Sequence, residues 1–224
     1  AERDHDEDRG ARVAAAAVAE SNFATALVAC LPSLPLETQK NAAHVFANLV
    51  RRPDGAVFAA IIARDPQILS TLIDAYKDEK ADFALICGMM LRESARHEMV
   101  ARALLEAPYF WRFFTDFVRL KSFEVASDAF ELLKGLLMGH CTLAAGFIQA
   151  HYAVFVQHYN KLLQSENYVT CRESLRLLGE LLLERANFCT MMKYISDREN
   201  LKVLMILLRS RKAKIQLEAF HVFK

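Results

Sequence analysis

Apolar positions recur along this chain at helical spacing. A small or apolar residue is followed three and four positions later by two adjacent apolar residues on five occasions. These are Ala42/Val45/Phe46, Ile86/Met89/Met90, Ala129/Leu132/Leu133, Ser174/Leu177/Leu178 and Ala219/Val222/Phe223. The last members lie 43 to 45 residues apart. A period of about 40–47 residues with two or three helices per unit is the mark of HEAT and armadillo repeats. One such unit cannot bury its apolar face alone, so neighbours must stack. The pattern predicts an all-α, HEAT/armadillo-like helical-repeat solenoid, a curved rod with a concave face. Local signals agree. Phe110, Phe113, Phe114 and Phe117 sit at i, i+3, i+4 and i+7, so they are read as one helical face. Asp65 before Pro66 reads as an N-cap with proline at the first helical position. Ser196 with Glu199 fits a capping box. Asp54-Gly55 falls between helical patterns, and no run alternates as a half-buried strand does.

Residues 1–10, AERDHDEDRG, break the pattern and read as a frayed acidic lead-in, with 11–224 as a single helical-repeat domain. Asp4, Asp6 and Asp8 alternate as a calcium loop requires. Gly10 comes one position late, however, and the twelfth position is Ala15 in place of the bidentate Glu. The closing run KIQLEAFHVFK carries no helix stop, which gives the expectation that further helices follow Lys224 and that this C-terminus is truncated. Only 7 Gly and 5 Pro in 224 residues fit long helices better than many tight turns. A net charge of +1 argues against a nucleic-acid binder. No apolar run reaches the roughly 18 residues of a membrane helix, so no membrane partner is expected. Five Cys without CxxC spacing read as reduced thiols of a cytoplasmic protein.

Catalytic chemistry is not visible. There is no P-loop, GxGxxG, HExxH or GxSxG, so no enzyme, cofactor or small-molecule substrate is expected. His151 and His158 are seven apart and compatible with one helix face. With no Cys, Asp or further His at ligand spacing, two surface histidines are the expectation and a metal is not. His140 beside Cys141 is a sequence neighbour, which does not make a nucleophile–base pair. Glu93, beside Arg92, Arg96 and His97, stands where the repeat would place an apolar residue. It reads either as a partner-facing polar cluster or as a solvated charge network. Residues 161–224 hold twelve Lys/Arg against seven acids, a local net of +5. Within them Arg172 and Arg176 lie one turn apart, a like-charge cost that Glu180 and Glu184 are placed to offset. Two guanidiniums on one ridge suit a carboxylate-bearing partner; a merely basic face is the alternative.

The runs CGMMLRESARHE, SFEVASDAFELLK, SENYVTCRESLRLLGELLLERANF, KYISDRENLKVLM and IQLEAFHVFK resemble the mouse protein 25 family, also called calcium-binding protein 39. The resemblance is collinear over roughly residues 36–224, while residues 1–35 match poorly. It implies a catalytically inactive cytoplasmic scaffold of helical repeats. Its implied partners are STE20-type protein kinases and pseudokinases, whose regulatory helix the concave face would support. It also implies a C-terminal pocket for a Trp-Glu-Phe or Trp-Ile-Phe tail of the partner.

Carried over residue by residue, the resemblance puts Arg172, Arg176 and Met205 in the tail pocket, and Tyr168, Arg185 and Phe188 at the kinase or pseudokinase contact. Arg176 stands where familiar members have Lys, Cys171 replaces a family Lys, and Ala186 replaces a family His. Met is an adaptable wall for a bulky aromatic, and a buried aromatic anchor is the usual hot spot of an interface. The residues alone leave other readings open. Met205 lies in the apolar run NLKVLMILL and fits a core position, and Phe188 fits a cap at a helix junction. The alternative function is an armadillo-type adaptor that binds proteins without activating a kinase.

Overall fold

The computed structural model describes residues 22–78 and 80–224, and the acidic lead-in with its calcium-loop pattern lies outside them. Among the described residues there are fourteen α-helices, five short 3-10 turns and no strand. No single helix among them is long and apolar enough to cross a membrane. The chain divides into two compact units. The first runs to Phe110 and takes in 120–132 as well; the second comprises 111–119 and 133–224.

The helices of the first unit are α1 (Phe23–Cys30), α2 (Leu36–Arg51), α3 (Gly55–Arg64), α4 (Pro66–Asp74), α5 (Ala81–Ser94) and α6 (Glu98–Glu106). Helix α2 buries Ala43, Phe46, Ala47 and Val50, spaced i, i+3, i+4, i+7. Glu37 in its first turn and Arg51 in its last complement the helix dipole. The helix stops at Arg52, whose backbone is extended because Pro53 follows. Gly55 then opens α3 under a tight constraint, since a Cβ there would lie 2.2 Å from the Val50 carbonyl oxygen. Asp65 caps α4 as the sequence predicts. Its carboxylate accepts from the Gln67 amide at 2.9 Å and also from the Thr25 hydroxyl at 2.7 Å. Helices α2 and α5 pack along each other.

The second unit contains α7 (Arg112–Thr115), α9 (Cys141–Ala150), α10 (Tyr152–Leu163), α11 (Tyr168–Leu183), α12 (Phe188–Ser196), α13 (Arg198–Leu208) and α14 (Ala213–Phe223). The long helix α8 (Phe123–Met138) gives residues 123–132 to the first unit and 133–138 to the second. The five repeat positions read from the sequence fall on α2, α5, α8, α11 and α14. Phe46, Met90, Leu133 and Leu178 are buried there, whereas Phe223 on the last helix is 51% exposed.

Two local expectations are corrected. The Phe110–Phe117 run is not one helix but a 3-10 turn (Pro108–Trp111), the single turn α7 and a second 3-10 turn (Phe117–Arg119). All four rings are nevertheless buried. Phe113 and Phe114 sit on α7, and Phe110 and Phe117 sit on the separate 3-10 turns before and after it, so each ring is buried by its own short piece without a continuous helix. Phe113 and Phe117 meet edge-on at 5.2 Å. The second correction concerns α13. Its N-cap is Asp197, which accepts from the Glu199 amide at 2.8 Å, and Ser196 ends α12 with its hydroxyl donated to the Met192 carbonyl. Aspartate is as good a cap as serine, and here it stands one residue nearer the helix.

Within each unit, ion pairs tie one repeat helix to the next. Arg51 on α2 holds Glu93 on α5 with two bonds of 2.8 and 2.6 Å, and Arg92 on α5 holds Asp128 on α8. In the second unit Lys134 on α8 meets Glu180 on α11 at 3.0 Å, and Arg172 on α11 meets Glu218 on α14 at 3.4 Å. The cation always sits on the earlier helix. Partly exposed pairs of this kind contribute about 0–1 kcal/mol each, so they fix register more than they supply stability. Glu93 is thus first an inter-helix tie, only 16% exposed; Arg96, at 3.5 Å and i+3, supplies the looser local pair of the charge-network reading. Its carboxyl is held below the usual carboxylate range, first by the Arg51 hydrogen bond and against the opposing cost of burial.

Candidate partner-binding site

The C-terminal helices carry every site residue expected from the sequence. Helix α11 begins at Tyr168 because the Asn167 side chain accepts from the Val169 and Thr170 amides at 2.9 and 3.3 Å. That start leaves Tyr168 exposed, with the Lys212 ammonium 5.4 Å from its ring centre. One face of α11 is core, where Cys171, Ser174, Leu175, Leu178 and Leu182 are buried. Helix α14 packs against α11 through Ile215 and Ala219. Gly179 admits the close approach of Val222, whose methyl lies 3.5 Å from where a Cβ would stand.

Arg172 and Arg176 occupy the neighbouring, partly exposed ridge. The Arg172 guanidinium faces two acids, Glu218 at 3.4 Å through Nη2 and Glu173 at 3.8 Å through Nη1, while its Nε is enclosed without a hydrogen-bond partner. Arg176 meets Glu180 at 3.3 Å and Glu173 at 3.9 Å. The like-charge cost is thus offset by Glu180, as expected, and by Glu173. Glu184 is used differently: it ends α11 and accepts from the Ala186 amide at 3.4 Å. Arg176 is the more accessible arginine, 54% exposed against 35%.

Met205 is not a core residue. Val203, Leu204 and Leu207 take the buried positions of α13, and Met205 is left 45% exposed. Leu217 and Phe220 on α14 add exposed apolar surface, and α13 and α14 pack together. The arginine ridge and Met205 therefore stand on two helices that both pack against α14. Phe188 does not cap a junction either. It opens α12 with 59% of its surface exposed and is followed at i+4 and i+7 by exposed Met192 and Ile195. Arg185 lies on the 3-10 turn just before it and is also exposed.

Sequence reasoning missed three members of this site. Glu173 and Lys212 carry no motif. Glu218 had a signal in retrospect, lying 46 residues after Arg172 just as Glu180 lies 46 after Lys134. It also missed the setting of the histidines. His158 stacks on Trp111 at 5.3 Å and His151 meets the same ring edge-on at 6.2 Å. Among the described residues no three His, Cys, Asp or Glu side chains are grouped to hold a metal. Cys141 donates to the Met138 carbonyl and its thiol is raised, chiefly by burial. All five cysteines are free.

The fold and this surface define a class: a helical-repeat protein whose C-terminal helices expose arginines and large apolar side chains together. A Mo25-like family model matches residues 1–224, and the chain belongs to that family. It is 46% identical over 206 residues to a human protein named "Calcium-binding protein 39-like", covering 91% of this chain and 60% of that protein. It is 44% identical over 207 residues to a "Mo25-like protein" of Schizosaccharomyces pombe, covering 92% and 62%. The chain thus spans about three fifths of the length of the curated relatives it matches. Among solved structures, an engineered protein aligns over 94% of this chain and 49% of its own, with a TM-score of 0.55 at 23% identity, a likeness of fold alone.

Proposed function

We propose that this chain is a non-enzymatic cytoplasmic scaffold that binds and allosterically activates STE20-type kinases or a pseudokinase–kinase pair. Membership of the Mo25-like family supports the general reading. The observation that carries the particular one is Met205, which with Ile206 stays exposed on α13 while Val203, Leu204 and Leu207 are buried, on a helix that packs against α14 as the helix bearing Arg172 and Arg176 does. That combination suits a short tail with an aromatic anchor and a carboxylate, such as Trp-Glu-Phe. The aromatic side chain packs on the methionine and the carboxylate meets a guanidinium. Tyr168, Arg185 and Phe188 supply a second contact on the exposed starts of α11 and α12.

Activation follows from population shift. A surface that prefers the active position of a kinase's regulatory helix moves the equilibrium only by its differential affinity for that state. The tail adds avidity by tethering the partner. The test is the rate of substrate phosphorylation by a STE20-group kinase with and without the chain. A saturable rise supports the reading. Binding without a rise favours a plain adaptor, and turnover by the chain alone would make it an enzyme.

A further inference from the structure

Arg172 is not an idle cation awaiting an anion. Its Nη2 edge already faces Glu218 and its Nη1 edge faces Glu173. Both separations, 3.4 and 3.8 Å, exceed the 2.7–2.9 Å typical of a strong charge-assisted hydrogen bond. Glu218 itself is only 16% exposed, so its carboxylate has lost much of its water; its ion-pair partner is Arg172, and the Nδ1 of His221 lies 3.8 Å away. The pair is therefore held, but loosely.

Taking the tail-binding reading of this face as the starting point, we propose that Glu218 is a built-in competitor for Arg172 that a partner's carboxylate must displace or outbid. A tail carboxylate arriving at Arg172 brings a third anion to one guanidinium. Arg176, which shares Glu173 and is occupied by Glu180, relieves only part of that repulsion. Carboxylate affinity alone is thus held down. Tails that also seat an aromatic side chain on Met205 still bind, and acidic segments without that anchor are rejected. The site discriminates by repelling the wrong ligand as well as by attracting the right one.

Glu218→Gln tests this because it removes the charge and keeps the size and an accepting oxygen for Arg172. The probes are a peptide ending Trp-Glu-Phe and an uncharged control ending Trp-Gln-Phe-amide, titrated calorimetrically into the wild type and the variant. Partly exposed ion pairs set the scale, so Glu218→Gln is expected to tighten the acidic peptide about two- to fivefold. Binding of the control should stay unchanged, and the gain should shrink as salt is raised. Glu173→Gln, on the more exposed edge, should move affinity in the same direction and decides the matter if Glu218→Gln does not fold by circular dichroism. Equal or weaker binding of the acidic peptide by the folded variant would overturn the proposal and make Glu218 a support that positions Arg172. If neither wild type nor variant binds either peptide, the tail-binding reading falls and this one with it.

Discussion

Two serines are fully buried in equivalent repeat helices, Ser94 on α5 and Ser174 on α11, both at 0% exposure. Their hydroxyls fare differently. Ser94 donates to the Met90 carbonyl at 2.8 Å, whereas the Ser174 hydroxyl has no hydrogen-bond partner. Replacing Ser174 by alanine removes an unsatisfied polar group whose desolvation costs about 1–3 kcal/mol. It also gains up to about 0.5 kcal/mol of helix propensity. A small loss of packing offsets part of this. Ser174→Ala is therefore expected to stabilise by about 1–2 kcal/mol, a rise of several degrees in Tm at about 2–4 °C per kcal/mol for a chain of this size. Ser94→Ala loses a bond to a carbonyl that the helix already uses, and gains the same propensity, so it should fall within about 0.5 kcal/mol of zero. Thermal melts followed by circular dichroism compare the two. A drop in Tm for Ser174→Ala, or a larger gain for Ser94→Ala, would refute the account of which hydroxyl is satisfied.

Glycines give a second contrast. A Cβ on Gly135 of α8 meets nothing within 4 Å, so Gly135→Ala should stabilise by about 0.5–1 kcal/mol in urea unfolding. Gly55→Ala should destabilise by more than about 1 kcal/mol, because backbone atoms of Leu49 and Val50 occupy the space. Glu93 gives a pH dependence. Its folded carboxyl titrates below its unfolded value, so the stability it contributes is present above the unfolded pKa and is lost as pH falls through the folded one. The Tm difference between wild type and Glu93→Gln should accordingly be largest near neutrality and close in acid. Burial, and then Lys161, lower the His158 pKa below the ordinary imidazole value of about 6.5. Protonation of this imidazole stacked on the single Trp should quench emission in a step centred below that value, and His158→Gln should remove that step while any contribution of His151, edge-on to the same ring, remains.

The repeat was legible because in four of its five instances the last apolar member is buried, and a period of about 45 residues survives substitution of any one of them. The Asp65 cap was legible for a local reason: aspartate followed by proline matches the N-cap and first helical positions, and a helical pattern begins there. The aromatic run misled because spacings of three and four fit both helix types, and only the backbone distinguishes a 3-10 turn from an α-helix. Ser196 misled because two capping residues stand side by side, and the chain uses Asp197. Charge pairing was the least legible feature. Arg51 and Glu93, or Arg172 and Glu218, lie a whole repeat apart in sequence, so local rules at i+3 and i+4 pass over them. Exposure was hidden too. Periodicity assigns Met205 to the apolar stripe, and only packing shows that Val203, Leu204 and Leu207 fill the core without it.

The central claim is that the Arg172 ridge and Met205 take the tail of a partner. Calorimetric titration of the chain with a peptide ending Trp-Glu-Phe tests it most directly, with Arg172→Ala and Met205→Ala alongside. The account predicts micromolar binding that each variant weakens at least tenfold, about 1.4 kcal/mol. No binding by the folded wild type, or binding that neither variant alters, would contradict it.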